Sequence, residues 1–190
     1  MSNDKKTNGN KYSLRDARFY NTWRRMFQFL VTHVFYMIRF KLVYRLEIYG
    51  KENIPSDNNF IVAANHLSTL DPPLVCGVMN RGVAYMAKKE LFENPFMRWW
   101  LDWLGAFAVD REKLGVSTIK TVKNLKETGW VLGIFPQGTR QEAGEFSHIT
   151  KGFASLAKST KCGILPIGIT GTQAVSYTHL RAHETEADLV

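Results

Sequence analysis

The sequence predicts an α/β domain, a mixed sheet flanked by helices, with a separate helical segment ahead of it. Three observations lead there. Short apolar runs that read as strands recur at residues 59–64 (NFIVAA, rich in β-branched residues), 82–87 (GVAYMA), 130–135 (WVLGIF) and 163–170 (GILPIGIT). Stretches with a helical period or a helix-start signature lie between them, which is the rhythm of an α/β fold. An aromatic, uncharged stretch of 13 residues, 26–38 (MFQFLVTHVFYMI), precedes them all.

Residues 1–12 are polar and without period, and a mobile tail is expected. Residues 13–43 form the N-terminal helical segment. Ser13 is placed to cap a helix beginning near Leu14, with Asp16 as a partner three residues on. The aromatic stretch is too short to span a bilayer, which takes about 20 residues. No small-residue cleavage site follows it, as a signal peptide would require. Arg24 and Arg25 precede it, and Arg39 and Lys41 follow. Cations at both ends suit a helix lying in the headgroup region of a membrane, its long basic side chains reaching outward. A buried core helix is the alternative.

Residues 44–175 are expected to form the main domain. Residues 44–50 (YRLEIYG) alternate like a strand and end at a turn. Residues 71–73 (DPP) read as a helix start, with Asp71 as N-cap and proline at the first position, where its missing N–H costs nothing. Residues 91–107 are the most aromatic stretch, with Trp99, Trp100 and Trp103 close together. Val116, Ile119, Val122 and Leu125 repeat at helical spacing, and Gly129 supplies a stop. Residues 176–190 are polar and break the rhythm. They read as a non-native tail joined to a truncated domain, so His179 and His183 are set aside.

Bulk properties narrow the function. A chain of 190 residues holds one domain with a sizeable core, and a net charge of +8 suggests an anionic partner. The lysines are dispersed and no glycine-flanked aromatic RNA-binding signature occurs, so no nucleic-acid partner is expected. Cys76 and Cys162 sit far apart among apolar neighbours, with no metal-ligand spacing. They read as small core residues, and neither a metal nor a cofactor is expected.

Three segments carry chemistry. In residues 65–72 (NHLSTLDP), His66 follows a buried strand and Asp71 opens the next helix. On one continuous helix this spacing would put the side chains about 140° apart. A strand-to-helix turn can instead fold the carboxylate onto the imidazole, fixing the tautomer and stabilising imidazolium as it takes a proton. Helix capping alone would also explain Asp71. In residues 133–140 (GIFPQGTR) a strand runs into a turn that exposes backbone N–H groups near Arg140. That suits an oxyanion or a phosphate, although such a turn is by itself only a turn. In residues 105–111 (GAFAVDR), Arg111 ends an apolar run, and pairing with Asp110 or Glu112 is its plain alternative. Ser68 lies in no Gly-x-Ser-x-Gly elbow; its hydroxyl is expected to help close the turn.

In this order the segments resemble the phospholipid and glycerol-phosphate acyltransferase family, particularly the 1-acylglycerol-3-phosphate (lysophosphatidate) acyltransferases. Residues 65–72 resemble its His-x4-Asp block, 105–111 its second block and 135–140 its third. Residues 165–168 (LPIG) resemble the fourth, proline-containing block, and Lys151-Gly152 the helix start before it. The resemblance covers roughly residues 44–172. One departure stands out: the family usually carries glutamate where this chain has Gln137.

The resemblance implies direct acyl transfer. His66 would take the proton of the sn-2 hydroxyl of a 1-acylglycerol-3-phosphate while Asp71 orients the ring, giving phosphatidic acid. The thioester donor would be acyl-CoA or acyl-carrier protein. Backbone N–H groups around Gly138 and Thr139 would face the oxyanion, and Arg140 and Arg111 would hold the acceptor phosphate. The expected place is the cytoplasmic face of the cell membrane, peripheral or monotopic on an anionic surface. Another lysolipid acceptor, or a non-catalytic lipid-binding relative, is the alternative.

Overall fold

The structure, a computed structural model, describes residues 12–109, 115–138, 140, 149 and 151–174. Helix α1 (Thr22–Leu30) continues through a wider π-helical segment (Val31–Met37) into α2 (Ile38–Leu42). Then follow β1 (Phe60–Ala64), α3 (Asp71–Met79), β2 (Gly82–Lys88), α4 (Pro95–Trp103) and β3 (Phe107–Val109). The chain goes on with α5 (Val116–Leu125), β4 (Trp130–Ile134), α6 (Lys151–Thr160) and β5 (Gly163–Ile167).

The five strands lie in the order β3-β2-β4-β1-β5, and every pairing among them is parallel. The expected mixed sheet is therefore a parallel one. The reason lies in the connections: between successive strands the chain passes through a helix, and a crossover of that length returns it in the same direction.

Side chains of β1, β2 and β4 alternate between two apolar layers. Ile61, Trp130, Leu132 and Ile134 pack with Val122, Leu125 and Leu156 on one face. Phe60, Val62, Val83 and Val131 pack with Leu74, Val75, Met79, Met37 and Phe40 on the other. Each fully buried side chain of this kind contributes about 1.5–3 kcal/mol. Gly82 and Gly105 leave room for Trp130, whose indole occupies the space where their Cβ atoms would sit.

Two local expectations differ from the structure. No helix begins at Leu14. Asp16 caps a single turn, Ala17–Phe19, and α1 starts later with Asn21, whose Oδ1 accepts the Arg24 N–H at 3.0 Å. Ser13 is instead buried, and its carbonyl accepts the Thr121 hydroxyl at 2.8 Å. Residues 44–50 alternate inward and outward as expected, with Tyr44, Leu46 and Ile48 against the core, but they pair with no described strand. Arg45 adopts φ of 50°, which breaks the extended run, so burial rather than a ladder satisfies the pattern.

The N-terminal helix is pinned by a polar residue. Gln28 is buried; its amide donates to the Val83 and Leu104 carbonyls at 2.8 Å each and accepts the Val83 N–H at 2.9 Å. It takes the place of a strand where β3 does not reach along β2. The outer face of the same helix exposes Trp23, Met26, Phe29, Phe35, Ile38 and Leu42, while Val31, Met37 and Phe40 are buried, so the helix packs on the core through one face and leaves the other uncovered. Among the described residues no helix is long and apolar enough to cross a membrane.

Candidate active site

In parallel α/β sheets the loops at the carboxyl ends of the strands carry the ligand sites. Strand β1 ends at Ala64 and β4 at Ile134, and their register pairs Ala63 with Ile134. The two following loops, with His66 in one and residues 136–138 in the other, therefore emerge side by side. Strand β5 flanks β1 on its other side and brings residues 168–172 to the same edge.

The structure brings His66 and Asp71 together, with Nδ1 and Oδ2 2.9 Å apart. Asp71 is not the N-cap of α3. Leu70 holds that position and Asp71 is the first helical residue. Its carboxylate turns back into the preceding loop, where Oδ2 also accepts the Leu67 and Ser68 N–H groups at 2.6 and 2.7 Å. Pro72 and Pro73 follow, and neither has an N–H to cap, so the carboxylate is left for the loop and the imidazole. The Ser68 hydroxyl accepts the Leu70 N–H at 3.3 Å, the turn-closing part expected of it.

Asp71 is fully buried. Burial pushes its carboxyl up, yet the bonds from His66, Thr172, Ser68 and Leu67 outweigh it and hold the group below its ordinary value. An ionised Asp71 can only accept, so the His66 Nδ1 carries the hydrogen between them and a neutral ring keeps its lone pair on Nε2.

Sequence reasoning missed several residues around this pair. The Phe135 ring stacks on the imidazole at 4.1 Å between centroids, and Tyr85 stacks behind Phe135 at 5.6 Å. Gln137 Oε1 accepts the His66 backbone N–H at 3.1 Å. Asn65 clamps the end of the domain: its Nδ2 donates to the Ile169 carbonyl at 2.8 Å and its Oδ1 accepts the Ile169 N–H at 2.6 Å. The Thr172 hydroxyl donates to Asp71 Oδ1 at 2.6 Å. Asn65 and Gln137 lie inside the sequence motifs, but the motifs alone give neither side chain its partner. Nothing in the sequence singles out Thr172, which lies 101 residues from its partner.

The remaining candidates divide. Gly138 lines the cavity beside His66 with φ of 74°, but its N–H donates to the Phe135 carbonyl at 2.9 Å and closes the turn. It is therefore not a waiting oxyanion donor, because the turn already occupies it. Arg140 is exposed. Arg111 and Thr139 lie outside the described residues. Cys76 is buried, and burial pushes its thiol up to about 12, which suits a core residue rather than a nucleophile. Among the described residues no three His, Cys, Asp or Glu side chains gather as metal ligands would.

A cavity of about 640 Å³ is lined by His66 and by Thr32, Tyr36, Cys76, Met86, Leu104 and Phe153 among others, with the N-terminal helix forming part of its wall. Its size suits a small ligand, for which about 300–1,000 Å³ is usual. An imidazole held by a carboxylate and lining a mostly apolar cavity defines a site that can take a proton from a polar group on a molecule with a long apolar part.

Comparison with known proteins agrees with that class. Residues 45–170 match the family model described as Acyltransferase, and the chain belongs to this family. It is 38% identical over 127 residues to a 1-acyl-sn-glycerol-3-phosphate acyltransferase of Bacillus subtilis, covering 66% of this chain and 63% of that one. To the Streptococcus pneumoniae enzyme of the same name it is 33% identical over 167 residues, 86% of this chain and 59% of that one. The crystal structure of the 1-acyl-sn-glycerophosphate acyltransferase of Thermotoga maritima is similar with a TM-score of 0.51 and 34% identity, over 65% of this chain and 49% of that one. The chain thus spans less than two thirds of the length of these relatives.

Proposed function

We propose that this chain transfers a fatty acyl group from a thioester to the sn-2 hydroxyl of a 1-acylglycerol-3-phosphate, giving phosphatidic acid. The observation that carries the reading is the 2.9 Å contact between His66 Nδ1 and Asp71 Oδ2, with His66 lining the apolar cavity. The names of the relatives from Bacillus subtilis and Streptococcus pneumoniae support the same acceptor.

In this reading Nε2 takes the hydroxyl proton as the oxygen attacks the thioester carbonyl. The tetrahedral oxyanion collapses, the carbon–sulfur bond breaks, and the imidazolium returns the proton to the leaving thiolate. No acyl-enzyme forms. The buried, ionised Asp71 keeps the ring in the productive tautomer and offsets the imidazolium charge. Arg140 and Arg111 are the cations proposed for the acceptor phosphate, where a guanidinium offers a paired fork of donors. The donor is acyl-CoA or acyl-carrier protein, and the cavity takes a fatty chain.

The exposed apolar face of the N-terminal helix supports docking on a bilayer, since a contiguous patch of this kind is rare on a surface that meets only water. Arg39 and Lys41 flank that face, and with the net charge of +8 they favour an anionic surface on the cytoplasmic side of the cell membrane.

The test is acyl transfer by His66→Ala, measured with labelled acyl-CoA or acyl-carrier protein and lysophosphatidate on folded protein. Loss of transfer is expected; turnover near that of the unmutated chain removes His66 from the chemistry.

A further inference from the structure

We propose that Thr172 is a positioning residue for the His66–Asp71 pair, the third member of a Thr–Asp–His chain closed by the last described turn of the domain. The inference rests on the proposed acyl transfer for its kinetic part, but not for its geometric part.

Asp71 has two oxygens with different duties. Oδ2 accepts the Leu67 and Ser68 N–H groups and faces the imidazole. Oδ1 accepts the Thr172 hydroxyl at 2.6 Å. A carboxylate held only through Oδ2 can swing about its Cβ–Cγ bond, and Oδ2 would then move off the ring nitrogen. A donor on Oδ1 fixes that rotation. Both Asp71 and Thr172 are buried, so water cannot substitute for the hydroxyl without entering the core.

The position of Thr172 is itself held. Gly171 adopts φ of 81°, turning the chain after β5, and Asn65 grips Ile169 through two hydrogen bonds. Asn65 is the neighbour of His66, so one strand end holds both the imidazole and the segment that holds its carboxylate. Among the described residues the ionisable groups facing Asp71 are His66 and Tyr85, with Cys76 beyond Tyr85. Neither of the latter is ionised near neutral pH, because burial pushes both up. A change in the titration of the pair on altering Thr172 therefore reports on this hydroxyl.

The experiment compares Thr172→Val, which keeps the shape and loses the hydroxyl, with Thr172→Ser, which keeps the hydroxyl. Two readouts are taken on folded protein: kcat and KM for lysophosphatidate, and the carboxyl titration of Asp71 by carbon NMR on aspartate-labelled chain. In Thr172→Val, kcat is expected to fall about tenfold with KM little changed, the effect of one hydrogen bond to a charged group. Its carboxyl should bind protons about tenfold more tightly. Thr172→Ser should restore both. An unchanged kcat and titration in Thr172→Val overturns the proposal, and so does an equal loss in Val and Ser variants, which would mark a packing role. If the unmutated chain transfers no acyl group, the functional reading fails by itself. The carboxyl titration then decides the Thr172 proposal alone, an unshifted Val variant overturning it.

Discussion

The Phe135 ring lies against the His66 imidazole, centroids 4.1 Å apart and planes inclined by 20°, so one face of the ring is covered by an apolar plane. That contact confines the imidazole to motion within its own plane, where Nδ1 meets Asp71. Phe135→Leu keeps much of the volume and removes the flat face. Its kcat should fall about three- to tenfold, the worth of an aromatic pair. Steady-state kinetics beside Phe135→Tyr, which retains the stack, checks this; equal rates in all three proteins would dismiss the stack.

Asn65 joins the His66 loop to the segment after β5 through its two bonds to Ile169. Asn65→Ala leaves both Ile169 backbone groups without that partner and should cost about 1–3 kcal/mol of stability. Urea unfolding measures the loss. Because the same segment carries Thr172, activity should fall further than stability alone explains.

Acid should weaken the fold through Asp71. Its carboxyl is held below the ordinary value of 3.8, so it binds protons more weakly folded than unfolded. Its stabilisation is therefore fully present above about pH 3.8 and lost as pH falls through the lower folded value. Thermal unfolding of the unmutated chain and Asp71→Asn between pH 7 and pH 2 should show their difference shrinking only in that acid range. A difference constant across the range would contradict the assignment.

Docking of the N-terminal helix is open to a vesicle experiment. Trp23 is 73% and Phe35 67% exposed on its outer face. Replacing both with serine should weaken binding to anionic vesicles about tenfold or more, since each aromatic side chain buries apolar area on insertion. The unmutated chain should bind anionic vesicles more tightly than neutral ones, and salt should narrow the gap. Equal binding to both compositions would contradict an electrostatic component.

The elements legible in the sequence were those whose pattern is local. Strands β1, β2, β4 and β5 show as apolar runs, and α5 shows in the spacing of Val116, Ile119, Val122 and Leu125. Residues 44–50 carry a true burial alternation, yet alternation records which side faces the core and not whether a neighbouring strand exists. The sheet direction was not local either, since it depends on where each crossover returns the chain. At the site, proximity of His66 and Asp71 was legible because a strand-to-helix turn separates them. Only the capping position differs: a carboxylate before two prolines looks like an N-cap, yet Leu70 holds that place and Asp71 is the first helical residue. Thr172, Phe135 and Tyr85 reach the pair only through the folded sheet, and no spacing in the sequence reports that.

The most direct measurement is the rate of acyl transfer to lysophosphatidate by Asp71→Asn, with folding checked by circular dichroism. A carboxylate that orients an imidazole and offsets its charge is worth about 10²–10⁴ in kcat. A fall of that size with little change in KM for the acceptor is the expected result. A kcat within twofold of the unmutated chain would contradict the claim that Asp71 holds His66 as the base.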